Sequence, residues 1–258
     1  MDTAVSLQPI DRLLDGRVKI AQPADGYRVA VDAVLLAAAV DGTPGERVLD
    51  LGCGVGSVGL CLAWRCPELR ITGLDREPVF LEAAHANAAA NGVAERVSFQ
   101  EGDVLDPPAI LRAGTFDQVV MNPPYLKAGT ATVSAHALKA AATAEGAAKL
   151  ADWVSCARGM LCPGGILTLI HRADRLQDVL AALTRDFGGI AILPIHPKHG
   201  RAAKRIILRA RQGSGEPMTM LPGLVLHEAD GAFTGAADAI LRHGRALTMT
   251  SQSLTPHP

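Results

Sequence analysis

The sequence predicts an α/β fold in which a seven-stranded, mostly parallel sheet carries helices on both faces. Short apolar runs of strand length alternate with longer runs of helical spacing between residues 46 and 188, and such alternation is typical of parallel βα units. Two more strand-like runs then follow, at 189–197 and 202–211, with only a short loop between them. Strands joined so closely pair antiparallel, so we expect one antiparallel edge strand.

The predicted strands are short aliphatic runs bounded by glycine, aspartate or proline. In chain order they are expected at 46–53, 70–75, 97–103, 116–122, 164–172, 189–197 and 202–211. The strand at 116–122 ends at Pro123 and Pro124, which lack the N–H group that a sheet needs.

The predicted helices have apolar spacing close to 3.6 residues and recognisable end signals. They are expected at 58–67, 77–92, 150–161 and 175–188. Pro78 suits a first helical turn, and Asn91 with Gly92 suits a helix stop. Residues 127–149 are rich in small residues with weak periodicity, which predicts a mobile loop running into a helix start.

At roughly 150 residues per domain the length suggests one or two domains, and we predict a single domain over residues 1–258. We divide it into a lead-in (1–45), a core (46–211) and a C-terminal extension (212–258), with a strand, a helix and a frayed end in the extension. Hydrophobic residues make up 48% and charged residues 20%, which excludes a disordered chain. The net charge is only -1, so any contact with nucleic acid must come from a local basic patch.

The five cysteines are scattered through apolar segments without a CxxC pair or a histidine cluster at zinc-finger spacing. This pattern predicts reduced thiols, no metal site and a cytoplasmic protein. The N-terminal residues lack the basic and apolar regions of a signal peptide, and the most apolar early stretch, 29–40, is too short to span a membrane.

A glycine-rich turn, DLGCGVG, joins the first predicted strand to the first helix. It contains Asp50, Gly52, Gly54 and Gly56, followed by Gly59, and glycines there let a ligand approach the backbone closely. The spacing also fits a dinucleotide fingerprint, and a tight turn without a ligand is a further possibility. A carboxylate before the glycines suits a cationic group and would repel a pyrophosphate.

Two further acids end the next two predicted strands. Asp75 can accept hydrogen bonds from both hydroxyls of a ribose, and Asp103 can accept one from an exocyclic amine. The alternative for Asp75 is a helix cap, since Glu77 and Pro78 follow it, and Asp103 is equally suited to a turn. Because ligands of such sheets bind at the carboxyl ends of the strands, the acids are more informative together than singly.

The fourth strand ends in Asn122, Pro123, Pro124 and Tyr125. Two prolines forbid a helix and hold Asn122 extended, so the loop is stiff and presents acceptors. The Asn122 side-chain oxygen and the Pro123 carbonyl can hold an amine with two N–H donors, and Tyr125 supplies a stacking face worth about 1–3 kcal/mol per base. The alternative is a plain proline-terminated strand with a packed tyrosine.

Basic residues lie in two places near this predicted edge of the sheet. Lys127, Lys139 and Lys149 flank the Asn-Pro-Pro-Tyr loop. The loop between the last two strands carries Lys198, His199, Arg201, Lys204 and Arg205. They predict an RNA-contacting patch, and a solvated loop of scattered charges is an equally acceptable interpretation.

These motifs, DLGCGVG, Asp75, EGD and NPPY, resemble those of class I S-adenosylmethionine-dependent amino-methyltransferases. The resemblance covers most of 46–211 and implies the Rossmann-like fold of that class. More narrowly, the lead-in at 11–40 and the tail at 224–244 are similar to the bacterial valine-tRNA adenine-N6 methyltransferase family. Membership would imply methylation of the adenine immediately 3′ of the anticodon, with S-adenosylmethionine as cofactor, tRNA as partner and neither DNA nor a membrane.

The resemblance assigns roles residue by residue. Asp50, Gly52, Gly54 and Gly56 would line the methionine half of the cofactor, Asp75 its ribose, and Asp103 with Val104 its adenine. Asn122, Pro123 and Tyr125 would hold the target amine, with Asn122 also at the cofactor and Pro124 beside the substrate. Tyr27, Arg28 and Asp32 would lie near the methionine tail and the cleft, unless that segment is simply a capped, packed helix.

Four other functions fit parts of this pattern. Protein glutamine N5-methyltransferases and rRNA guanine-N2 methyltransferases share the NPPY loop. The former usually carry a helical N-terminal domain, and the 45 residues before the first predicted strand are too few for one; the latter often carry a second, degenerate copy of the fold. A non-catalytic protein that binds S-adenosylmethionine or RNA belongs to another class, and the intact motifs disfavour it. A nicotinamide-dependent enzyme is expected to carry a second, substrate-binding domain, for which 258 residues are few.

Overall fold

The computed structural model describes residues 11–23, 31–111, 114–125, 147–183 and 186–250. Most of the predicted loop at 127–149 lies outside these residues, as does the predicted frayed end at 248–258 from residue 251 onward. At its start, Met249 is 2% exposed and packs in the core, so the prediction of a frayed end is wrong there. The predicted site residues Tyr27, Arg28, Lys127 and Lys139 also lie outside them.

The strands of the described residues are numbered in chain order. They are β1 (Asp11–Leu13), β2 (Val18–Ile20), β3 (Arg47–Leu51), β4 (Arg70–Asp75), β5 (Val97–Glu101), β6 (Phe116–Met121), β7 (Leu161–Arg172), β8 (Phe187–Lys198), β9 (Arg205–Gln212), β10 (Thr219–Met220) and β11 (Leu224–His227). The helices are α1 (Val31–Ala38), α2 (Ser57–Arg65), α3 (Pro78–Ala90), α4 (Leu150–Met160), α5 (Leu176–Leu183) and α6 (Gly235–Leu241).

The central sheet has the strand order β10-β8-β9-β7-β6-β3-β4-β5, with β11 also paired to β8. The predicted α/β class is confirmed, and so are the seven predicted strands, which become β3 to β9. Two parts of the prediction are wrong. The sheet has nine strands rather than seven, because β10 and β11 from the C-terminal extension pair parallel to β8. They contain two and four residues. The sequence predicts one strand and a helix in this extension, where β11 and α6 lie, but it does not predict that strands of the extension join the central sheet.

The antiparallel strand, expected at the edge of the sheet, lies inside it. It is β9, which pairs antiparallel with both β7 and β8. The chain leaves α5, forms β8 one position further out, and then turns back so that β9 fills the gap beside β7. A pattern of residues along one strand does not reveal which neighbours the strand will have, so the position could not be read from the sequence.

The helices cover both faces of the sheet because the strands alternate their apolar side chains between two cores. Val48 of β3 belongs to the core beneath α1, α2, α3 and α6. Its neighbours Leu49 and Leu51 belong to the opposite core, beneath α4 and α5. Both faces of the central strands are therefore buried, as expected for a parallel sheet.

A small hairpin of β1 and β2, which the sequence does not predict, packs against α3. Asn87 of α3 exchanges two hydrogen bonds with the backbone of Ala21, at 2.8 and 3.0 Å. Asn91 does the same with Lys19, at 2.9 and 2.7 Å. Asn87 also donates to the Val55 carbonyl at 3.1 Å, so it ties this hairpin to the glycine-rich turn.

All five cysteines are free thiols. Within the described ranges, three or more potential metal-ligating side chains nowhere cluster in a way that would hold an ion. The same residues contain no helix with the length and apolarity to cross a membrane. The boundary between core and extension at 211 stays a prediction, although β10 and β11 join the core's own sheet.

Candidate active site

The predicted site residues emerge side by side at one edge of the sheet. β3 and β6 are in register at Leu51 and Met121, and β4 and β5 are in register at Asp75 and Glu101. The segments that follow these parallel strands therefore meet at their carboxyl ends. Across the sheet, the row runs Asn122, Gly52, Asp75, Asp103.

The glycine-rich turn is tightly packed at two of its glycines and open at the third. A Cβ on Gly52, whose φ is +73°, would lie 2.5 Å from the Trp153 ring, and one on Gly56 would lie 2.8 Å from the Phe99 ring. A Cβ on Gly54, whose φ is +53°, would have no neighbouring atom within 4 Å. The free space is therefore above Gly54, where a ligand can reach the backbone.

Asp50 lies behind this turn rather than in the open space. It is 2% exposed, and its Oδ2 accepts a hydrogen bond of 3.2 Å from the N–H of Gly59 in α2. Burial raises the pKa of Asp50 to about 7, and the charge of Asp75 adds to the rise, while the Gly59 bond opposes it. Near neutral pH this carboxyl is poised between its two forms, so a cation in the cleft would favour the ionised one.

Asp75 fixes the glycine-rich turn to the end of β4. Its Oδ2 accepts from the N–H of Gly54 at 2.8 Å, and its Oδ1 accepts from the N–H of Glu77 at 3.0 Å. The second bond is the cap-like contact suggested as the alternative role. Burial raises the pKa of Asp75, and these two bonds oppose the shift. Each oxygen keeps a second lone pair, so the carboxylate can still accept from the hydroxyls of a ribose.

Asp103 follows β5 in a turn and remains partly exposed. Its Oδ1 accepts from the N–H of Leu105 at 2.9 Å, and its Oδ2 lies 3.9 Å from a guanidinium nitrogen of Arg76. The adjacent Val104 packs partly buried against the core beneath α4 and α5. An acceptor beside an apolar surface suits the edge and face of an aromatic base.

Asn122 ends β6 in the extended loop that the two prolines predict. Pro123 is buried, and Pro124 and Tyr125 are partly exposed. The Tyr125 hydroxyl donates to the side-chain oxygen of Asn122. The Asn122 side-chain oxygen, which the sequence predicts to accept from a target amine, is therefore hydrogen-bonded to the Tyr125 hydroxyl.

Tyr125 is surrounded by side chains from three distant parts of the chain. Its hydroxyl is 2.9 Å from Oδ2 of Asp32, in α1. The Arg205 guanidinium lies 4.8 Å from the centre of the Tyr125 ring and donates to the same Asp32 oxygen at 3.0 Å. The His171 ring meets the Tyr125 ring edge to face at 5.3 Å. Arg175 donates to the main-chain oxygen of Tyr125 at 3.3 Å.

His171 and Arg175 are not among the site residues that the sequence predicts. His171 is fully buried, and neither ring nitrogen has a hydrogen-bond partner among the described residues. Burial and the charge of Arg175 lower its pKa to about 4, so the ring is neutral at pH 7. The sequence offers one clue, a histidine in the mostly apolar strand GGILTLIHR, and a core histidine explains that pattern equally well.

The predicted basic loop lies at the same edge of the sheet, because β8 runs parallel to β6 and β7. An open cavity of about 520 Å³ there is lined by Pro197, Lys198, Arg201, Ala202 and Lys204. Lys198 donates to the Ala229 carbonyl at 3.0 Å. The sequence predicts that Arg205 joins this group, but its side chain is directed to Asp32 and Tyr125.

Lys149 is exposed immediately before α4. Of the three lysines predicted to flank the Asn-Pro-Pro-Tyr loop, it alone lies in the described part of the chain.

The arrangement suits a nucleoside ligand. Open backbone at Gly54, a ribose-type acceptor at Asp75 and a base-type acceptor at Asp103 lie along neighbouring strand ends. Asn122 lies on the other side of the glycine-rich turn, beside the aromatic face of Tyr125. One edge therefore offers two adjoining places for aromatic groups.

Comparison with known proteins agrees with this geometry. Residues 28–198 match the model of the methyltransferase small domain family. A tRNA1(Val) (adenine(37)-N6)-methyltransferase of Porphyromonas gingivalis is 31% identical over 240 residues, which cover 88% of this chain and 91% of that one. A release factor glutamine methyltransferase of Chlorobaculum tepidum is 31% identical over 174 residues, covering 65% and 59%.

A solved structure resembles the fold closely. It is a predicted O-methyltransferase of Agrobacterium tumefaciens, with a TM-score of 0.71 and 29% identity, covering 85% of this chain and 99% of that one.

Proposed function

The chain belongs to the methyltransferase small domain family, and we propose that it transfers a methyl group from S-adenosylmethionine to the exocyclic N6 amine of an adenine in tRNA. The expected substrate is the anticodon loop of a valine tRNA, at the adenine immediately 3′ of the anticodon. The relative from Porphyromonas gingivalis, whose name states this specificity, aligns with 88% of the chain.

The observation that carries the proposal is the row of side chains at the carboxyl edge of the sheet. Acceptors for a nucleoside cofactor and the Asn122 acceptor for an amine lie on adjacent strands, with Tyr125 beside the latter. A methyl donor and an aromatic amine bound there would be neighbours. Positioning of this kind can supply roughly 7–11 kcal/mol of a reaction barrier.

The residues present fit the cofactor. When bound, S-adenosylmethionine supplies an electrophilic methyl group on a positively charged sulfur. Gly52, Gly54 and Gly56 would hold its methionine part, with Asp50 behind them as a buried carboxyl that responds to cationic charge. Asp75 would accept from the ribose hydroxyls, and Asp103 with Val104 would hold the adenine.

The target amine is a weak nucleophile because its lone pair is delocalised into the ring. Asn122 Oδ1 and the Pro123 carbonyl would accept its two N–H groups, which releases the lone pair from the ring. Tyr125 would stack on the base, and Pro124 would contact it from the same loop. A strong general base is unnecessary, since the proton can pass to water after the transfer.

The RNA backbone would lie across the cavity beside β8 and β9. Arg201 and Lys204 line it with Lys198, and phosphate contacts from such side chains supply most of the affinity for nucleic acid. An adenine in an anticodon loop is already partly unpaired, so extruding it costs at most a few kcal/mol. A tRNA substrate and five free thiols favour a cytoplasmic location.

The second candidate is methylation of a glutamine side chain in a protein. Its amide presents the same two N–H donors to Asn122 and Pro123, and the Chlorobaculum tepidum relative has that activity in its name. That alignment covers 65% of the chain, against 88% for the adenine-N6 relative. The adenine reaction is therefore the better supported of the two.

The deciding experiment is methyl transfer from labelled S-adenosylmethionine to unmodified bacterial tRNA, followed by mass spectrometry of the nucleosides. We expect new N6-methyladenosine in tRNA. Label in rRNA or protein fractions, with none in tRNA, would show that the protein is a methyltransferase whose substrate is not tRNA. The control is Asn122→Ala, which should abolish turnover while S-adenosylmethionine binds with nearly unchanged affinity; an equal loss of cofactor binding would contradict the division of roles.

A further inference from the structure

The Tyr125 hydroxyl lies between two acceptors. It reaches Oδ1 of Asn122 and is 2.9 Å from Oδ2 of Asp32. A phenol has one proton, so it can donate to one of these oxygens at a time. When it donates to Asn122, it competes for the oxygen that the proposed function assigns to the target amine.

Asp32 is held in place as the second acceptor. Asp32 is only 8% exposed, and a carboxylate so buried needs a charged partner. Arg205 of β9 supplies one, donating from Nε to Asp32 Oδ2 at 3.0 Å across 173 positions of sequence. The same guanidinium covers the Tyr125 ring at 4.8 Å, so one arginine orients both the carboxylate and the ring.

Two further contacts hold Tyr125 in place without involving its hydroxyl, which can still donate to either Asn122 or Asp32. His171 of β7 meets the ring edge to face at 5.3 Å, and Arg175 donates to the Tyr125 carbonyl at 3.3 Å. The His171 ring is neutral at pH 7, so the cation on the ring is Arg205. The hydroxyl can then change its acceptor by rotating its proton, without any movement of the ring.

We propose that Asp32 and Arg205 are positioning residues for methyl transfer, and that Asp32 takes the Tyr125 hydroxyl's hydrogen bond so that Asn122 Oδ1 is free for the target amine. The inference rests on the proposed function for the identity of the amine. The exchange replaces one hydrogen bond with another and forms no covalent bond. It assigns a catalytic purpose to an ion pair that joins the start of α1 to the start of β9.

The kinetic test is a double-mutant cycle between Asp32→Asn and Tyr125→Phe. With Tyr125 present, Asp32→Asn should lower kcat by up to about tenfold, because a neutral amide oxygen accepts more weakly than a carboxylate and the hydroxyl then donates to Asn122 more of the time. In the Tyr125→Phe protein, which keeps the ring and lacks the hydroxyl, the same change should alter kcat less than about twofold. The affinity for S-adenosylmethionine should stay constant throughout. An equal loss of kcat in both backgrounds would overturn the proposal.

The chain contains a matched control on the same two elements. Asp41, just after α1, pairs with Arg209, four residues beyond Arg205 on β9, and that pair lies away from Tyr125. Asp41→Asn should leave kcat unchanged. Arg205→Lys, which keeps the charge, should retain more activity than Arg205→Gln; the reverse order would contradict the role given to the cation.

A second measurement needs no methyl acceptor. The sequence has two tyrosines, so a protein with 13C at tyrosine Cζ gives two NMR signals, and Tyr125→Phe identifies the one from Tyr125. That signal should move in Asp32→Asn and stay fixed in Asp41→Asn. An unmoved signal would refute the Asp32 contact itself. If the Tyr125 signal moves but the unaltered protein methylates no adenine, the hydrogen bond between Asp32 and Tyr125 is supported. The proposed function, and with it the role of Asn122 towards the amine, is then rejected.

Discussion

Replacing Asp50 with asparagine should make the stability of the protein depend on pH in a new way. Asparagine keeps the shape of the side chain and an oxygen for the Gly59 N–H, and it removes the titrating carboxyl. Folding raises the pKa of Asp50 from 3.8 to about 7. The stabilising effect of its proton is full below pH 3.8 and is lost as pH rises through about 7.

The size of the effect follows from that shift. A difference of roughly three pKa units, at about 1.4 kcal/mol for each, corresponds to ~4 kcal/mol. Between about pH 4 and pH 7.5, the unfolding free energy of the original protein should therefore fall by ~4 kcal/mol relative to that of Asp50→Asn. The difference between the two proteins isolates Asp50, because all other groups titrate in both.

In the unaltered protein, the titration of His171 should offset much of this fall in unfolding free energy with pH. Folding lowers its pKa from 6.5 to about 4, so its contribution is present above pH 6.5 and is lost as pH falls towards 4. That shift corresponds to ~3 kcal/mol of opposite sign over nearly the same pH range. In the cofactor-free protein, the contributions of Asp50 and His171 therefore oppose each other. After the substitution, His171 is opposed only by groups such as Asp75, whose pKa burial also raises.

The assay is urea unfolding of both proteins at several pH values from about 4.5 to 7.5, followed by circular dichroism. The m-value should be the same for both, which shows that the unfolded states are comparable. A constant difference in unfolding free energy across this range would refute the argument that Asp50 takes up a proton on folding. A difference that changes in the opposite direction would refute the sign of its pKa shift.

Three further predictions concern other parts of the molecule. Gly52→Ala should destabilise the protein by more than the ~1–2 kcal/mol that a left-handed backbone costs, because the new methyl group also meets the Trp153 ring. Gly54→Ala should cost only the backbone term in stability, but it should weaken S-adenosylmethionine binding. Thermal unfolding measures the first effect and binding calorimetry the second. Arg201→Gln and Lys204→Gln should each reduce the slope of log affinity for tRNA against log salt by about 1, and an unchanged slope would exclude them from phosphate contact. Asn87→Ala should remove ~3 kcal/mol of stability, because three backbone groups lose their hydrogen-bond partner, and a loss below about 1 kcal/mol would show that water replaces it.

The sequence predicts those parts of the fold whose causes are local. The strand at 70–75 is predicted with both ends correct, because an aliphatic run stops at a charged residue on each side. The NPPY loop is equally local, since two prolines dictate its backbone. The row of acids follows from one general rule, that parallel strands end at the same edge.

Other features depend on which distant segments meet, and no local pattern contains that information. β1 and β2 have three residues each and are held by asparagines 66 or more positions away. The basic neighbours of Arg205 in the sequence point to the RNA patch. Its actual partner, Asp32, lies at the other end of the chain, and only the pairing of β9 inside the sheet brings them together.

The two short strands of the C-terminal extension protect the edge of the central sheet from pairing with other molecules. β8 is twelve residues long and would otherwise be the outermost strand, with a row of unpaired backbone groups facing water. β10 and β11 occupy that side of it at residues 191–198. An uncovered strand of this length is a template for pairing between molecules. A chain shortened to residue 212 would expose this strand and also the part of the core that α6 covers, so we expect it to aggregate.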